Sequence, residues 1–139
     1  MLRKLLAVAI VCLAGAASAQ TMDGGSAFHL IAANSNNSTL VAKGTHQVVS
    51  AQLGGVGSAP AYLKIYDKAT APTCGTDTPI ATLIIPAAST AANGGGSNVA
   101  YAGGLQVQLG LGICVVTGIA DSDNTSVAAS TFIVNINYK

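Results

Sequence analysis

The chain has 139 residues, of which half are apolar, 8% are charged and 4% are aromatic. This composition excludes an intrinsically disordered protein, in which charge is high and apolar content is low, and the length indicates a single domain. Sixteen glycines and the absence of glutamate favour short strands joined by turns over long helices, which are rich in glutamate, lysine and arginine.

The N-terminal segment has the three parts of a secretory signal peptide. Arg3 and Lys4 make a basic start, residues 5–16 are an apolar run, and 17–19 (Ala-Ser-Ala) form a cleavage site of small residues. The alternative, an N-terminal membrane anchor, needs about 20 apolar residues, more than this run provides. We therefore predict a signal peptide at 1–19, no membrane anchor in the mature chain, and a secreted protein of the periplasm or extracellular surface.

Removal of the signal peptide changes the charge balance. The mature chain would keep four lysines and five aspartates, so its net charge is four minus five, or −1. No basic cluster remains that could hold a nucleic acid. We therefore expect no nucleic-acid partner.

Cys74 and Cys114 are the two cysteines of the mature chain. In an oxidising compartment an even pair of cysteines indicates a disulfide, which would close a loop of about 40 residues and stabilise the fold by roughly 4 kcal/mol. Two free, buried thiols are the alternative. Without a bulge, Cys114 lies in phase with Gln106 and Gln108 on the outer face of its strand, so the disulfide would hold the Cys74 loop across the outside of a sheet.

Beyond a polar, glycine-rich leader at 20–26, apolar segments separated by turn residues predict the strands. They lie at 27–33, 39–42, 46–53, 62–68, 80–85, 98–102, 105–116 and 130–138. Segment 105–116 alternates strictly, and Gly110 and Gly112 within it mark a bulge or a bend. Eight or nine strands at spacings of roughly 8–12 residues are typical of a sandwich or barrel. We predict an all-β protein, with one antiparallel β-sandwich domain at 27–139 that is jelly-roll-like or Ig-like.

Segment 62–68 has the clearest two-faced pattern in the chain. Leu63 and Ile65 share one face, which indicates a half-buried antiparallel strand. The opposite face carries amphipathic side chains, which we predict as an exposed contact surface. Its members are Tyr62, Lys64, Tyr66 and Lys68.

No pattern in the sequence indicates catalysis. His29 and His46 have no neighbouring ligand residues, and Asp121-x-Asp123-Asn124 resembles the start of a calcium loop but lacks its glycine and its distal glutamate. No nucleophile motif or phosphate loop is present. We therefore expect a protein that is not an enzyme, with no catalytic residues, no metal site and no cofactor.

The low charge of the mature chain bears on its partners. A free monomer with so few charges would be poorly soluble, and burial of its surface against other protein copies would remove that problem. This favours an assembly component over a diffusing enzyme.

The segment 62–79 reads Tyr-Leu-Lys-Ile-Tyr-Asp-Lys-Ala-Thr-Ala-Pro-Thr-Cys-Gly-Thr-Asp-Thr-Pro. It resembles a segment of small β-rich structural proteins of tailed bacteriophages and prophages, in which a Tyr-Leu-Lys-x-Tyr-Asp-Lys strand runs into an Ala-Pro-Thr-x-Gly-Thr-Asp-Thr-Pro loop. The stretches 117–123 and 134–139 are similar to the same proteins, so that the resemblance covers 27–139. It implies a virion or virion-like structural protein and brings no catalytic residues.

A second resemblance is to pilins of the chaperone–usher type. Those proteins also have a cleaved signal peptide, one disulfide, low charge and a last strand that alternates as Phe132 to Tyr138 does. We predict an exported, non-enzymatic structural protein of an extracellular or virion-like assembly, whose partners are itself or other surface or virion proteins. The alternatives are a pilin-like fibre subunit and a secreted glycan-binding module that uses Tyr62 and Tyr66.

Overall fold

The computed structural model describes residues 25–89 and 93–139. The signal peptide expected at 1–19 lies outside the described residues, as does residue range 20–24 of the expected leader. Ser26, the last residue of that leader, already belongs to the first strand.

The described residues form eight strands and no helix, which confirms the predicted all-β fold and the number of strands. Each strand coincides with a segment of apolar or alternating residues. In chain order they are β1 (Ser26–Ile31), β2 (Thr39–Lys43), β3 (His46–Gly55), β4 (Ala61–Asp67), β5 (Ala81–Ile85), β6 (Gly95–Val107), β7 (Gly110–Val116) and β8 (Phe132–Tyr138).

The strands form two four-stranded antiparallel sheets. Sheet A has the order β1-β8-β3-β6, and sheet B has the order β2-β7-β4-β5. Each of the first four strands pairs with one of the last four, in reverse order: β1 with β8, β2 with β7, β3 with β6 and β4 with β5. In addition, β8 pairs with β3, and β7 pairs with β4. This is the strand order of an eight-stranded jelly roll. Of the two predicted types of sandwich, jelly-roll-like and Ig-like, the chain therefore adopts the first.

One apolar core lies between the sheets, because alternate residues of each strand point inwards. In β8, Val134 and Ile136 are buried, whereas Ile133 and Asn137 are exposed. The inward residues of sheet B that close the core are Leu63, Ile65, Leu111, Ile113 and Val115. The inward phases predicted for 62–68 and 130–138 are confirmed.

The alternating segment 105–116 is two strands and not the single strand that its pattern predicts. β6 ends in sheet A, and β7 begins at Gly110 and runs back through sheet B. Between them, Asp67 Oδ1 accepts hydrogen bonds from the N–H groups of Gln108, Leu109 and Gly110 at 3.0, 2.7 and 3.3 Å. A carboxylate from a distant strand holds this turn, so the local pattern does not reveal it.

Candidate functional site

The outer face of sheet B is covered, in contrast to the contact surface that the sequence predicts there. Lys64 and Tyr66 have no exposed surface, Tyr62 is half-buried, and Lys68 lies beyond the end of β4. Two loops, 68–80 and 117–125, pack over these side chains. We call the covered part of this surface the covered face; it comprises the outward residues of the two central strands, Tyr62, Lys64, Tyr66, Gly112, Cys114 and Val116, whereas Ile84, outward on the edge strand β5, is exposed.

The predicted disulfide between Cys74 and Cys114 is present, and it lies where the phase of Cys114 places it. The two Cα atoms are 6.1 Å apart, and both cysteines are buried. The disulfide attaches loop 68–80 to the middle of β7. With Tyr66, Val116 and the half-buried Tyr62 it forms a small apolar cluster separate from the main core.

Glycines allow the two covering loops to lie close to the sheet and to each other. A Cβ atom at Gly112 would lie 3.0 Å from Pro72 of the first loop. A Cβ atom at Gly75 would lie 2.7 Å from the carbonyl oxygen of Ser122, in the second loop, and the φ of Gly75 is +80°. A larger residue at Gly75 would therefore force the two loops apart.

The second covering loop is held by the ammonium group of Lys64. Its Nζ donates hydrogen bonds to the carbonyl oxygens of Ala120, Asp121 and Asp123 at 2.5, 3.2 and 3.0 Å. A buried ammonium is tolerated only when its donors are paired, and these three acceptors match its three N–H groups. Lys64 is therefore part of the scaffold and cannot contact a partner.

The turn 121–124, which resembles the start of a calcium loop, is closed by its own groups. Asp123 Oδ1 accepts hydrogen bonds from the N–H groups of Gly118 and Thr125, each at 3.1 Å, and its Oδ2 accepts one from Thr125 Oγ1 at 3.1 Å. Its main-chain carbonyls bind the lysine ammonium. The Asp123 carboxylate and three main-chain carbonyl oxygens of this loop are thus engaged within the protein.

The hydroxyl group of Tyr66 lies beneath the loops and has no hydrogen-bond partner among the described residues. Burial raises the pKa of this phenol to about 12, and the charges of Asp77 and Asp121 contribute in the same direction. The hydroxyl therefore stays protonated in the folded protein at neutral pH. A ligand cannot reach it without displacing a loop.

Lys68, the last residue of the predicted contact surface, forms an ion pair within the first covering loop. Its Nζ lies 2.6 Å from Asp77 Oδ2, which also accepts a hydrogen bond from the N–H of Thr73 at 2.6 Å. The Lys68 hydrogen bond, and after it the Thr73 N–H, lower the pKa of Asp77. This ion pair folds the loop back on itself.

Among residues 25–89 and 93–139, no loop covers the outer face of sheet A in a comparable way. In the central part of this face, three outward residues from each of the four strands lie in register with one another. We call this surface the open face; it consists of Ala27, His29 and Ile31 (β1), Ile133, Asn135 and Asn137 (β8), Ser50, Gln52 and Gly54 (β3), and Gly96, Asn98 and Ala100 (β6). None of these positions holds an aspartate, a lysine or an arginine, so the open face has no charge when His29 is neutral.

Residues of the open face align in rows across the four strands. The middle row is His29, Asn135, Gln52 and Asn98, and the rows on either side are Ala27, Asn137, Ser50 and Ala100, and Ile31, Ile133, Gly54 and Gly96. His29 Nδ1 lies 2.6 Å from Asn135 Oδ1, and Asn137 Nδ2 donates to Ser50 Oγ at 2.9 Å. These two contacts link side chains of neighbouring strands across the surface.

The sequence does not reveal the open face directly, although the lack of charged residues at outward strand positions indicates an unusual surface. In each predicted strand of sheet A, the residues out of phase with the buried ones carry no charge, as Asn135 and Asn137 illustrate. Solvent-facing positions of a strand usually include charged residues. Only the strand order shows that these positions form one surface.

The histidines are separate from each other and from any candidate metal ligands. His46 Nε2 lies 3.0 Å from the carbonyl oxygen of Lys43, and its ring packs edge-on against Tyr138 at 5.3 Å. Within 25–89 and 93–139 no group of three metal-ligating side chains comes together. The same residues contain no helix long and apolar enough to cross a membrane.

Two shallow clefts lie near one end of the sandwich. One, of about 240 Å³, is lined largely by glycines, including Gly54, Gly55 and Gly95. The other, of about 260 Å³, is lined by residues such as Pro60, Thr117 and Phe132. Both are smaller than the roughly 300–1,000 Å³ of typical small-molecule sites, and neither lining contains a titratable side chain. The open face is thus the more extensive candidate site.

Comparison with protein-family models, with curated proteins and with solved structures finds no match to this chain.

Proposed function

We propose that this chain is an exported, non-enzymatic structural protein that assembles, with copies of itself or with other surface or virion proteins, into an extracellular or virion-like structure. The observation that carries the proposal is the open face. It holds no aspartate, lysine or arginine and no described loop covers it, whereas two loops cover the central strands on the other outer face of the sandwich.

An uncharged sheet face of this size is suited to contact with another protein. Strand surfaces that stay in water normally carry lysine, aspartate or glutamate, which oppose association. Amide side chains such as Gln52 and Asn98 can instead exchange hydrogen bonds with a facing surface without the desolvation penalty of a charge. The open face therefore favours association over solvation.

Two further features support this proposal. The disulfide fits a non-cytoplasmic compartment, where such bonds form and persist, in keeping with the signal peptide expected at 1–19. The jelly roll is a fold used by viral capsid domains and also by lectins and cupins. This support from the fold is an analogy, because one fold serves many functions.

The structure offers less support for a glycan-binding module than the sequence does. That alternative uses Tyr62 and Tyr66 as a stacking platform, but Tyr66 is fully buried and Tyr62 is half-buried beneath the same loops. The pilin-like alternative is also weakened, because β8 lies inside sheet A with a strand on either side.

The proposal is tested by electron microscopy and by light scattering of the purified protein over a concentration series. We expect the wild type to form ordered assemblies, and we expect Gln52→Lys/Asn98→Lys to remain dispersed because it places two ammonium groups in the middle row of the open face. The matched control, Thr70→Lys/Thr78→Lys, adds the same charge at exposed positions of a covering loop and should assemble like the wild type. Discrete wild-type monomers at every concentration would contradict the proposal.

A further inference from the structure

We propose that the free edge of β1 pairs antiparallel with β1 of a second copy of this chain, which joins two sheets A into one continuous sheet. This inference rests on the proposed function, because it names the partner in that assembly and a second contact beside the open face. It starts from a comparison of the four strands that lie at sheet edges, β1, β6, β2 and β5.

Three of the edge strands carry features that hinder pairing with another chain. β2 has a register shift between Leu40 and Ala42 and ends at Lys43. β5 is five residues long and lies between Pro79 and Pro86 in sequence. Bulges, charges and prolines are the devices by which proteins protect edges.

β6 is hindered in two places. Its first part lies against β5, where Ser97 Oγ donates to the carbonyl oxygen of Ile84 at 3.3 Å. Further along, residues 101–104 all fall opposite Val49, because the register with β3 shifts between Val48 and Ser50. Such a bulge interrupts the straight ladder that an added strand would need.

β1 has none of these features. It reads Ser-Ala-Phe-His-Leu-Ile, without a proline, lysine or aspartate, and it pairs with β8 through six consecutive residues without a shift. An edge strand that is uncharged and regular is a template for a further strand.

The backbone groups that β1 offers can be assigned from its ladder with β8. Ala32 N donates to the carbonyl oxygen of Phe132 at 2.9 Å, which continues the β1–β8 register by one pair. In an antiparallel strand, the N–H and C=O groups of one residue point to the strand on one side, and those of the next residue point to the other side. The N–H and C=O groups of Ala27, His29 and Ile31 therefore point to the free edge, and no described strand pairs with them there.

A second β1 matches this edge through a two-fold axis at His29. In that register His29 lies opposite His29 of the second copy, and Ala27 lies opposite Ile31, so each pair exchanges two hydrogen bonds. On the core side, Phe28 lies opposite Leu30. These two side chains contact the core but are only half-buried, and the second copy would cover them.

The charge and size of the contact also fit a second copy. No charged side chain stands on either strand, so nothing opposes their approach. The contact involves the six residues of β1 from each copy, fewer than the roughly 20–30 residues a side of a standard interface. We therefore expect a weak dimer in dilute solution that forms where copies are concentrated, as they are in an assembly.

Cysteine substitutions in β1 test this register directly. In a hydrogen-bonded antiparallel pair the Cα atoms are about 5.5 Å apart, within the range of about 4.4–6.8 Å for a disulfide. We expect His29→Cys, expressed from the full-length sequence and treated with oxidised glutathione, to form a disulfide-linked dimer on non-reducing electrophoresis. The native cysteines do not compete, because Cys74 and Cys114 are bonded to each other.

The matched controls are Ala27→Cys and Ile31→Cys. Each alone should give less than one tenth of the His29→Cys dimer, since four residues of strand separate the two copies of that position by about 14 Å. A mixture of the two variants should form the mixed dimer. Equal cross-linking of all three single variants would overturn the inference, because it would indicate random collision.

A second variant tests the hydrogen bonds. His29→Pro removes an N–H from the free edge and leaves the bonds to β8 in place, a position at which proline is tolerated in an edge strand. We expect at least a tenfold rise in the dissociation constant of the dimer by analytical ultracentrifugation. An unchanged dissociation constant would overturn the inference.

The outcomes also separate this inference from the proposed function. Cross-linking at position 29 without ordered assemblies by electron microscopy would support the β1 pair and contradict the function. Ordered assemblies without cross-linking at position 29 would support the function and contradict the β1 pair.

Discussion

Two loops, a disulfide and a buried ammonium group cover the central strands of sheet B on their outer face, whereas no described loop covers the outer face of sheet A. The difference lies in the side chains that each face carries. The covered face contains Lys64, Tyr66 and Cys114, and these groups fix the loops above them. The open face contains amides, alanines, glycines, isoleucines, one histidine and one serine, whose side-chain hydrogen bonds among the described residues link neighbouring strands and hold no loop.

This comparison indicates where the stability of the molecule is concentrated and where its surface is free to serve another purpose. The disulfide, the buried ammonium group and the ion pair of Lys68 with Asp77 all lie on the sheet B side. Substitutions that remove the disulfide or the Lys64 ammonium group should therefore unfold or loosen the protein, and substitutions on the open face should not. Four experiments test that division, from the largest expected effect on stability to the smallest.

Removal of the disulfide should have the largest effect. Cys74→Ala/Cys114→Ala frees a segment with a sequence separation of 40 residues, and the added chain entropy of the unfolded state should lower the free energy of unfolding by roughly 4 kcal/mol. Urea denaturation measures the change. Limited proteolysis should cut loop 68–80 first, because its attachment to β7 is lost. A decrease below about 1 kcal/mol would show that the loop is held without the disulfide.

Lys64→Met should rank second. The substitution keeps an apolar stem of similar length but leaves three carbonyl oxygens of loop 117–125 without their donor, and we expect a loss of about 3 kcal/mol. Lys68→Met is the matched control, because it removes a partly exposed ion pair worth at most about 1 kcal/mol. Equal effects of the two substitutions would mean that the second loop does not depend on the buried ammonium group.

Much of the fold follows from the sequence, but the cover of sheet B does not. Leu63 and Ile65 reveal their strand and their inward face, since a period of two is a local property. Lys64 and Tyr66 look like solvent-facing residues for the same reason, and the loop carbonyls that bury Lys64 come from more than 50 residues away. Cys114 points outwards, so a disulfide with Cys74 requires a loop across this face. Side chains next to Cys114 on the same face should then be buried under that loop.

The strand order and the open face are still less accessible to sequence reasoning. No local pattern shows that β8 lies between β1 and β3, because that pairing joins distant parts of the chain. The turn at 108–109 is missed as well, since Asp67 supplies its hydrogen bonds. The disulfide could be predicted because the number of cysteines leaves a single pairing in the mature chain.

Tyr66→Phe should have a smaller effect, and one of the opposite sign. The variant removes a buried hydroxyl that has no partner, so we expect the free energy of unfolding at pH 7 to rise by about 1 kcal/mol. Tyr62→Phe, on the same strand, is the control and should change stability by less than about 0.5 kcal/mol. A loss of stability in Tyr66→Phe would indicate that the hydroxyl has a partner, such as an internal water molecule.

The same variant should change the response to alkali. The pKa of Tyr66 rises from 10.0 to about 12 on folding, so the unfolded state loses its proton at a lower pH than the folded state. Between these values stability falls as pH rises, by at most about 1.4 kcal/mol per pH unit for one group, and below pH 10 the effect vanishes. Denaturation at pH 9, 10 and 11 should show a shallower decline in Tyr66→Phe than in the wild type.

The smallest effect is expected on the open face, and it separates a binding surface from a structural one. Gln52→Lys places a charge at an exposed position in the middle row, where it displaces no neighbour, so the free energy of unfolding should change by less than about 0.5 kcal/mol. Lys64→Met, on the opposite face of the sandwich, provides the contrast. A loss of several kcal/mol in Gln52→Lys, measured at a concentration where the protein is monomeric, would show that the amide row is needed by the monomer. A small loss there, combined with a loss of assembly, would mean that the uncharged row is retained for contact with other copies and contributes little to the fold.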